Sequence, residues 1–532
     1  MPKMTAQEIL QKKAQAKSDN ESPIPEYHAI YTKWEDKYGN VRIKISSVKL
    51  LELLAKLGYR RIDIGTNYFT IQLLNDSVIY ERDETQVVDS VEDYLLGFGA
   101  ATPTDGIEID EIREKLFNGI STFFSKRLLN RLRTKDKLKI KNHDSRTAYF
   151  YYRNGYVSVT ADKIDFKPYT EMDGVVWGNQ ILDRDFKYLD PEDYDRCNFA
   201  KFVKNISGSW KKRFYDDAKN ENYDSRRYQK FKQMIGNGLH SFFEGKRKAV
   251  IFTDSRTDEE ASGRSGKTLL LKAMGLMLNS NKYATTSVEI DGKELDMNDR
   301  FKFQSTAIDT RLLHLNDIKS NFDFERLFTA ITEGLVCQQK NEKSFTINAK
   351  IYISTNRLLR IKGESAKDRS IEFEFSDYYK AGHGPDEEFN EWFFRDWDKH
   401  TWNQFDNFMI HCTQLFLRNG LEEVPPINLR LRKLYQFTAR EFVEYMEEIG
   451  IKHNLQYVKK DLYENFIHKY PDFNSRRFTI SRKKFSQWLD YYAEYHSDID
   501  NIMTKRSNGR DYVTFAFTKE AIAEMQVEMN IN

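Results

Sequence analysis

The stretch "SGRSGKTLLLKAMG", residues 262–275, decides how the middle of this chain is read. Gly266-Lys267-Thr268 closes a short glycine-punctuated loop and runs into "TLLLKAMGLML", an apolar segment with helical periodicity. A loop that cradles phosphates needs a buried strand leading in, backbone N–H groups turned inward and a helix N-terminus directly after. The strand is "KAVIFTD" (248–254), separated from Gly263 by a polar, acidic loop. Gly263 and Gly266 let the backbone approach phosphate oxygens, with Arg264 and Ser265 between them. Lys267 would reach the outer phosphates, and the Thr268 hydroxyl would meet a Mg²⁺ ion. The full pattern G-x-x-x-x-G-K-[ST] asks for glycine at 261, where this chain has Ala261. On the loop alone, a plain turn containing Gly-Lys-Thr stays open as the alternative.

The segments that follow bear on that choice. In "RLLHLNDIKS" (311–320), Leu312, Leu313 and Leu315 make a buried strand ending in Asn316-Asp317, with His314 read as packing. A carboxylate at a strand's carboxyl edge beside a phosphate loop is where Mg²⁺ and an attacking water need one. An ordinary strand-end turn is the alternative. "KIYISTNR" (350–357) ends in Thr355-Asn356, whose amide can donate to a terminal phosphate or orient water without adding charge. "GESAKDRSIEFEF" (363–375) sets Arg369 before a last strand, where it could stabilise transition-state charge on a neighbouring subunit's phosphate. A surface pair with Asp368 or Glu372 is its alternative, and Arg357 is its rival. Between these strands, "EGLVCQQKNEKSFTINAK" (333–350) reads as a hairpin with Lys340, Asn341 and Lys343 at the tip. Such a tip either keeps the surface soluble or grips a phosphate backbone without reading sequence. Four features in order, all at strand ends, predict a nucleoside triphosphate pocket around Lys267.

The rest of the chain sets bounds. Its 532 residues are enough for two to four domains, and the 31% charged content with ten prolines predicts a helix-rich soluble protein. No apolar run is long enough to span a bilayer, and the polar start of the chain predicts no secretion. Cys197, Cys337 and Cys412 are far apart and the ten histidines are scattered. Neither a disulfide framework nor a structural metal site is expected, which suits a cytoplasmic location. A net charge of +2 does not advertise nucleic-acid binding, so charge is read locally. Basic clusters lie at 128–146, 474–485 and 503–510.

These patterns predict an α/β protein whose core is a mostly parallel sheet flanked by helices, with accessory regions on both sides. Residues 1–26 are a polar lead. Residues 27–105 form a small α/β domain, with "SVKLLELLAKLGY" as a helix and "YFTIQLL" and "VIYER" as strands. Residues 106–190 form a mixed region, with one helix over 111–134 and a hairpin turning at Asn154-Gly155. Residues 191–245 make a helical collar, 246–380 the ATPase domain and 381–430 a helical lid or linker. Residues 431–532 read as helix, helix, then two strands around a basic Asn-Gly turn, the layout of a winged helix.

The order Gly-Lys-Thr, strand-Asn-Asp, basic hairpin, strand-Thr-Asn, arginine resembles that of the superfamily 3 helicases of viruses, phages and mobile elements, within the AAA+ class. Fifty residues separate Lys267 from Asp317 and thirty-nine separate Asp317 from Asn356, similar to that family's spacing. "TAYFYYRNGYVSVT" and "VVWGNQILDRDF" resemble segments of the poxvirus-D5-like primase-helicase group in phages of the Bacteroidetes. The resemblance covers 248–375 well. It implies an ATP-dependent replicative DNA helicase, with Gly263, Arg264, Ser265, Gly266, Lys267 and Thr268 binding ATP. Thr268 and Asp317 would hold Mg²⁺, Asp317 would activate water with Asn316 beside it, and Asn356 would sense the γ-phosphate. Arg369 would act in trans, in a ring that the resemblance implies is a hexamer. Lys340, Asn341 and Lys343 would contact single-stranded DNA. Forked or duplex DNA would meet Arg482, Lys483, Lys484, Lys505, Arg506 and Arg510. A separate primase and polymerase, and the host-cell cytoplasm, are the implied setting, with no membrane.

Two departures count: Ala261 replaces a loop glycine, and Asn316 stands where many relatives have an acid. Glu333 and Asp309 are the other carboxylates in range. For priming, the N-terminal third offers only Asp63, with no paired acids after it, so it is read as accessory. Two other readings stay open: a DNA-binding replication initiator or scaffold with a degenerate ATP switch, and a primase-helicase with an unrecognised priming site.

Overall fold

Strands covered on both faces read as near-continuous apolar runs, as 249–254 and 312–315 do, and five strands form one parallel sheet. They are β1 (Ala249–Asp254), β2 (Ser287–Asp291), β3 (Leu312–Asn316), β4 (Lys350–Ser354) and β5 (Ser370–Phe375). Their spatial order is β2-β3-β4-β1-β5, and every neighbouring pair is parallel. The register sets Phe252 against Ser354 and Leu315 against Ile353, so the carboxyl ends of β1, β3 and β4 open on one edge. This is a computed structural model. It describes residues 28–64, 67–74, 77–97, 107–133, 138–208, 223–242, 247–256, 264–279, 284–319, 321–340, 344–359, 361, 363–475, 479–496, 498–519 and 521–523. The polar lead 1–26 lies outside them.

Side chains alternate across a strand, and the alternation divides the core in two. Val250, Phe252, Tyr352, Phe373 and Phe375 face helices α1 (Asn198–Ser207), α2 (Tyr223–Leu239), α3 (Lys267–Leu278) and α4 (Lys399–Asn419). Ile251, Leu313, Leu315, Ile351 and Ile353 face the other way, onto Phe324, Leu327, Leu335 and Phe345. The helices expected as a collar (191–245) and as a lid (381–430) thus share one core over one sheet face. The inserted hairpin packs on the opposite face, with Leu335–Cys337 and Phe345–Ile347 paired antiparallel.

In the N-terminal region, Tyr59–Ile64, Asn67–Leu74 and Val78–Glu81 form an antiparallel sheet. Val176–Trp177 joins its edge in parallel, so regions 27–105 and 106–190 share a sheet. The single helix expected over 111–134 is instead Ile109–Asn118, capped by Gly119, followed by the short turns Ile120–Phe123 and Lys126–Leu129. The hairpin expected to turn at Asn154-Gly155 turns one residue earlier: Tyr152 pairs with Gly155, leaving Arg153-Asn154 as the loop. Gly155 belongs to the strand because its φ of 153° lets the backbone pass close to the Lys167 carbonyl.

The C-terminal unit begins at α5 (Leu429–Phe437) and has its own core, built on Phe442, Phe466, Phe485, Trp488, Val513 and Phe515. Its sheet sets Arg510–Phe517 between Gln456–Val458 and Ile499–Ser507. The hairpin tip is Asn508-Gly509, both at positive φ (49° and 72°), as a two-residue type I′ turn requires. Among the described residues, no helix is long and apolar enough to cross a membrane.

Candidate nucleotide site at the sheet edge

The loop before α3 is held in a shape that few residues tolerate. Arg264 has φ 63° and Gly266 φ 92°, with Gly266 as the N-cap of α3. A Cβ on Gly266 would sit 2.9 Å from Phe202 and 3.0 Å from Ile206, so this glycine serves both backbone conformation and the approach of α1. Ala261 and Gly263 lie outside the described residues. Arg264 and Thr268 are exposed, whereas Ser265 and Lys267 are buried.

Together with the ends of β3 and β4 and the loop at 380–387, this loop lines a pocket of about 570 Å³, within the range of small-molecule sites. Its wall carries Ser265, Lys267, Thr268, Asn316, Asp317 and Asn356. A series of polar contacts crosses it. The Lys267 ammonium donates to Asp254 Oδ1 at 2.5 Å and to Asn356 Oδ1 at 3.2 Å. Asn356 Nδ2 donates to Asp317 Oδ1 at 3.0 Å. Ser265 Oγ also donates to Asp254, and Lys293 pairs with Asp317. Burial draws the Lys267 ammonium below its ordinary value, and the Asp254 carboxylate opposes that shift only in part.

Beneath the pocket lies a second network. Ser354 Oγ donates to Asn316 Oδ1 at 2.7 Å and accepts from the Asp317 backbone N–H at 3.2 Å. His314 Nε2 is 3.2 Å from the same hydroxyl, and its Nδ1 is 3.7 Å from Glu289. Asn316 Nδ2 donates to Glu289 at 2.7 Å. Asp317 is at φ 54°, a left-handed conformation that aspartate adopts more readily than most residues. The network fixes Asn316 inward on Glu289 and Ser354 and leaves Asp317 as the carboxylate on the pocket wall. His314, expected only to pack, is a polar link between strands β3 and β4.

Sequence reasoning passed over Asp254, Ser354, Lys293 and the 380–387 loop. Asp254 had a usable signal, since it is the last residue of the strand that leads to the glycine-punctuated loop. Lys293 and the loop had none, because folding alone brings them there.

The remaining candidates lie elsewhere. Arg369 precedes β5, whose first residue pairs with Ala249, the first residue of β1. It is therefore at the amino edge of the sheet, about 20 Å of strand away from its own pocket. There it donates to the Ser365 carbonyl at 2.9 Å and stacks over Phe328. Among the described residues, neither Asp368 nor Glu372 forms an ion pair with it, and Glu372 pairs with Lys433. Arg357, its rival, is exposed just past Asn356. Asp309 is tied to Thr285 (2.7 Å) before β3 begins, and Glu333 is exposed after the helix Phe328–Thr332, so neither lines the pocket. Lys340 is exposed at the hairpin, while Asn341 and Lys343 lie outside the described residues. Arg482, Lys483, Lys484, Lys505, Arg506 and Arg510 are all exposed in the C-terminal unit; Arg482 pairs with Glu464 (3.1 Å) and Arg506 with Asp511 (3.8 Å).

The chain matches no protein-family description. It also matches no curated protein. Among solved structures it is similar to one described as the A form apo structure of the NrS-1 C terminal region, at a TM-score of 0.30 and 11% identity, over 70% of this chain and 96% of that one. A likeness of that size establishes neither a shared fold nor a shared activity.

Proposed function

We propose that the chain is an ATP-hydrolysing motor of the superfamily 3 helicase kind, working on single-stranded DNA as a ring with ATP between neighbouring copies. Residues 246–380 are its AAA+ core and 431–532 a winged-helix unit. The observation that carries this reading is the series Asp254–Lys267–Asn356–Asp317, which links three neighbouring strand ends, two of them lining one pocket. Lys267 and the N–H groups at the start of α3 bind phosphate oxygens. Asn356 orients the terminal phosphate, and Asp317 faces the attacking water. Since Arg369 is remote from its own pocket, it acts on a neighbour's.

The donor set suits Mg²⁺, which takes one or two carboxylates alongside phosphate oxygens and waters. Thr268 and Asp317 both line the pocket and would hold the ion once the Lys293 pair opens. Bound there, it supplies charge neutralisation to the phosphates. Among the described residues, no group of three or more metal-binding side chains competes for it. Lys340 on the inserted hairpin, with Asn341 and Lys343, grips the strand. The basic residues of the C-terminal unit meet forked DNA. The replication setting in a phage or mobile element, with a separate primase and polymerase, follows from the sequence resemblance.

One observation favours a second reading, a nucleotide-binding replication scaffold that does not turn over: Lys267 and Asp317 are each already paired within the chain. Measuring Mg-ATP turnover with and without single-stranded DNA separates the two. A motor hydrolyses ATP, is stimulated by DNA and is silenced by Lys267→Ala. Nucleotide binding without turnover selects the scaffold, and absence of binding removes both.

A further inference from the structure

The sheet has a second cleft at its other edge. It measures about 440 Å³ and lies where β1 and β4 begin, at Ala249 and Lys350. The end of α2, from Asn237 to His240, forms one wall, and the end of α4, with Phe416, forms another. Three cationic side chains line it: Arg247, Lys248 and Lys350. No aspartate or glutamate is among the described residues that line it.

Lys350 is the central feature. Its ammonium has three N–H donors, and one of them goes to the Asn237 carbonyl at 2.8 Å. The nitrogen lies 5.0 Å from the centre of the Phe416 ring. It has no carboxylate partner among the ion pairs of the described residues. Burial alone lowers it to about 7. Arg247 is anchored through the Thr332 carbonyl and Lys248 through exposed Glu423 at 3.7 Å. Beside the charges stands a group of flat rings: His240 packs 5.7 Å from Phe416 and 6.1 Å from Phe242. Burial holds His240 down at about 4, so it is neutral near pH 7 and serves as an aromatic surface.

A half-buried cation without a carboxylate beside it is costly, and an anion that brings its own hydrogen-bond acceptors removes the cost. Aromatic rings beside it accept a flat heterocycle by stacking. We propose that this cleft binds a phosphorylated nucleoside, with the phosphate on Lys350 and Arg247 and the base against Phe416 and Phe242. The volume suits one nucleotide. Two sources supply that chemistry, a free mononucleotide and the phosphorylated end of a DNA strand. The site is separate from the pocket at Lys267 and does not depend on the reading of that pocket.

The test uses the full chain carrying Lys267→Ala, so that the first pocket is silent. Deoxyadenosine monophosphate is titrated by calorimetry at pH 7, with deoxyadenosine and inorganic phosphate as partial probes. A saturable one-to-one heat is expected, weakened about tenfold or more by Lys350→Met and for each partial probe. A 5′-phosphorylated oligonucleotide that displaces the mononucleotide identifies a strand end as the source, and failure to displace identifies the free nucleotide. Should Lys350→Met not fold, Arg247→Gln on the cleft rim carries the same expectation. No saturable heat from either mononucleotide or oligonucleotide overturns the proposal, as does unchanged affinity in a folded variant.

Discussion

Asp254→Asn tests how the loop before α3 is held and whether phosphate can take the place of Asp254 on Lys267. In the structure the Asp254 carboxylate takes the Lys267 ammonium at 2.5 Å and the Ser265 hydroxyl, with Asp254 4% and Lys267 7% exposed. Removing one member of a buried pair strands the other, at a cost of ~3–5 kcal/mol. Here the cost has a ceiling, because Lys267 can release its proton. At pH 8, falling from the ordinary value of 10.5 costs about 1.36 kcal/mol per unit, a little over 3 kcal/mol in all. Spread over a chain of 532 residues, whose unfolding entropy is about 1.1 kcal/mol/K, that cost lowers the melting temperature of the ligand-free variant by roughly 3 °C. A triphosphate supplies the lost negative charge, so the penalty is confined to the empty state. Scanning fluorimetry with a non-hydrolysed ATP analogue should show a larger nucleotide-induced rise for Asp254→Asn than for the unaltered chain. A rise that is equal or smaller refutes the idea that phosphate replaces Asp254 on Lys267.

Two more predictions use the same site. Gly266→Ala, at φ 92° with Phe202 and Ile206 in the way, should cost about 2 kcal/mol or more and weaken nucleotide binding about tenfold; Gly363→Ala, at φ 77° with open space around it, should cost only ~1 kcal/mol. Denaturant unfolding and nucleotide titration of both variants check the contrast. Arg369→Ala subunits and Lys267→Ala subunits should each be inactive alone and recover turnover when mixed, since one supplies an intact pocket and the other an intact arginine; a mixture as silent as its parts removes the trans role.

How much of this site the sequence disclosed follows from what each residue sits beside. Asp317 and Asn356 were legible because each follows an apolar run long enough to be recognised as a buried strand, and the edge of such a strand is a defined place; Lys267 was legible because Gly-Lys-Thr opens an apolar-periodic helix. Asp254 obeys the same strand-edge rule, since it closes the strand read as "KAVIFTD". His314 lies inside an apolar strand, where packing is the ordinary expectation, and its contact with Ser354 exists only once β3 and β4 are paired. Arg369 shows the opposite case: its order in the chain was plain, but only the parallel register fixes which edge of the sheet it occupies. In the flanks, the helix expected over 111–134 breaks at Gly119, and Val176 pairs far upstream with Val78, a partner that no local pattern announces.

The pocket is also joined mechanically to the C-terminal unit. Two residues after Asn356, the Leu358 backbone is held at both ends by one side chain of α5: Gln436 Oε1 accepts from its N–H at 3.1 Å and Nε2 donates to its carbonyl at 2.7 Å. Lys433, one turn earlier on α5, pairs with Glu372 of β5, and Lys367 reaches Glu494 at 3.3 Å. From the same helix, Arg432 lies close enough to weigh on the Lys267 charge. A phosphate that pulls Lys267 from Asn356 changes the amide's partners, and the strand-end loop that carries the amide is tied to α5 two residues on. Packed elements of this kind transmit movement by shifting as units rather than by bending. On the proposed function, the C-terminal unit should feel nucleotide occupancy through Gln436, and a Gln436→Ala chain that kept full DNA stimulation of turnover would show that the force travels by another path.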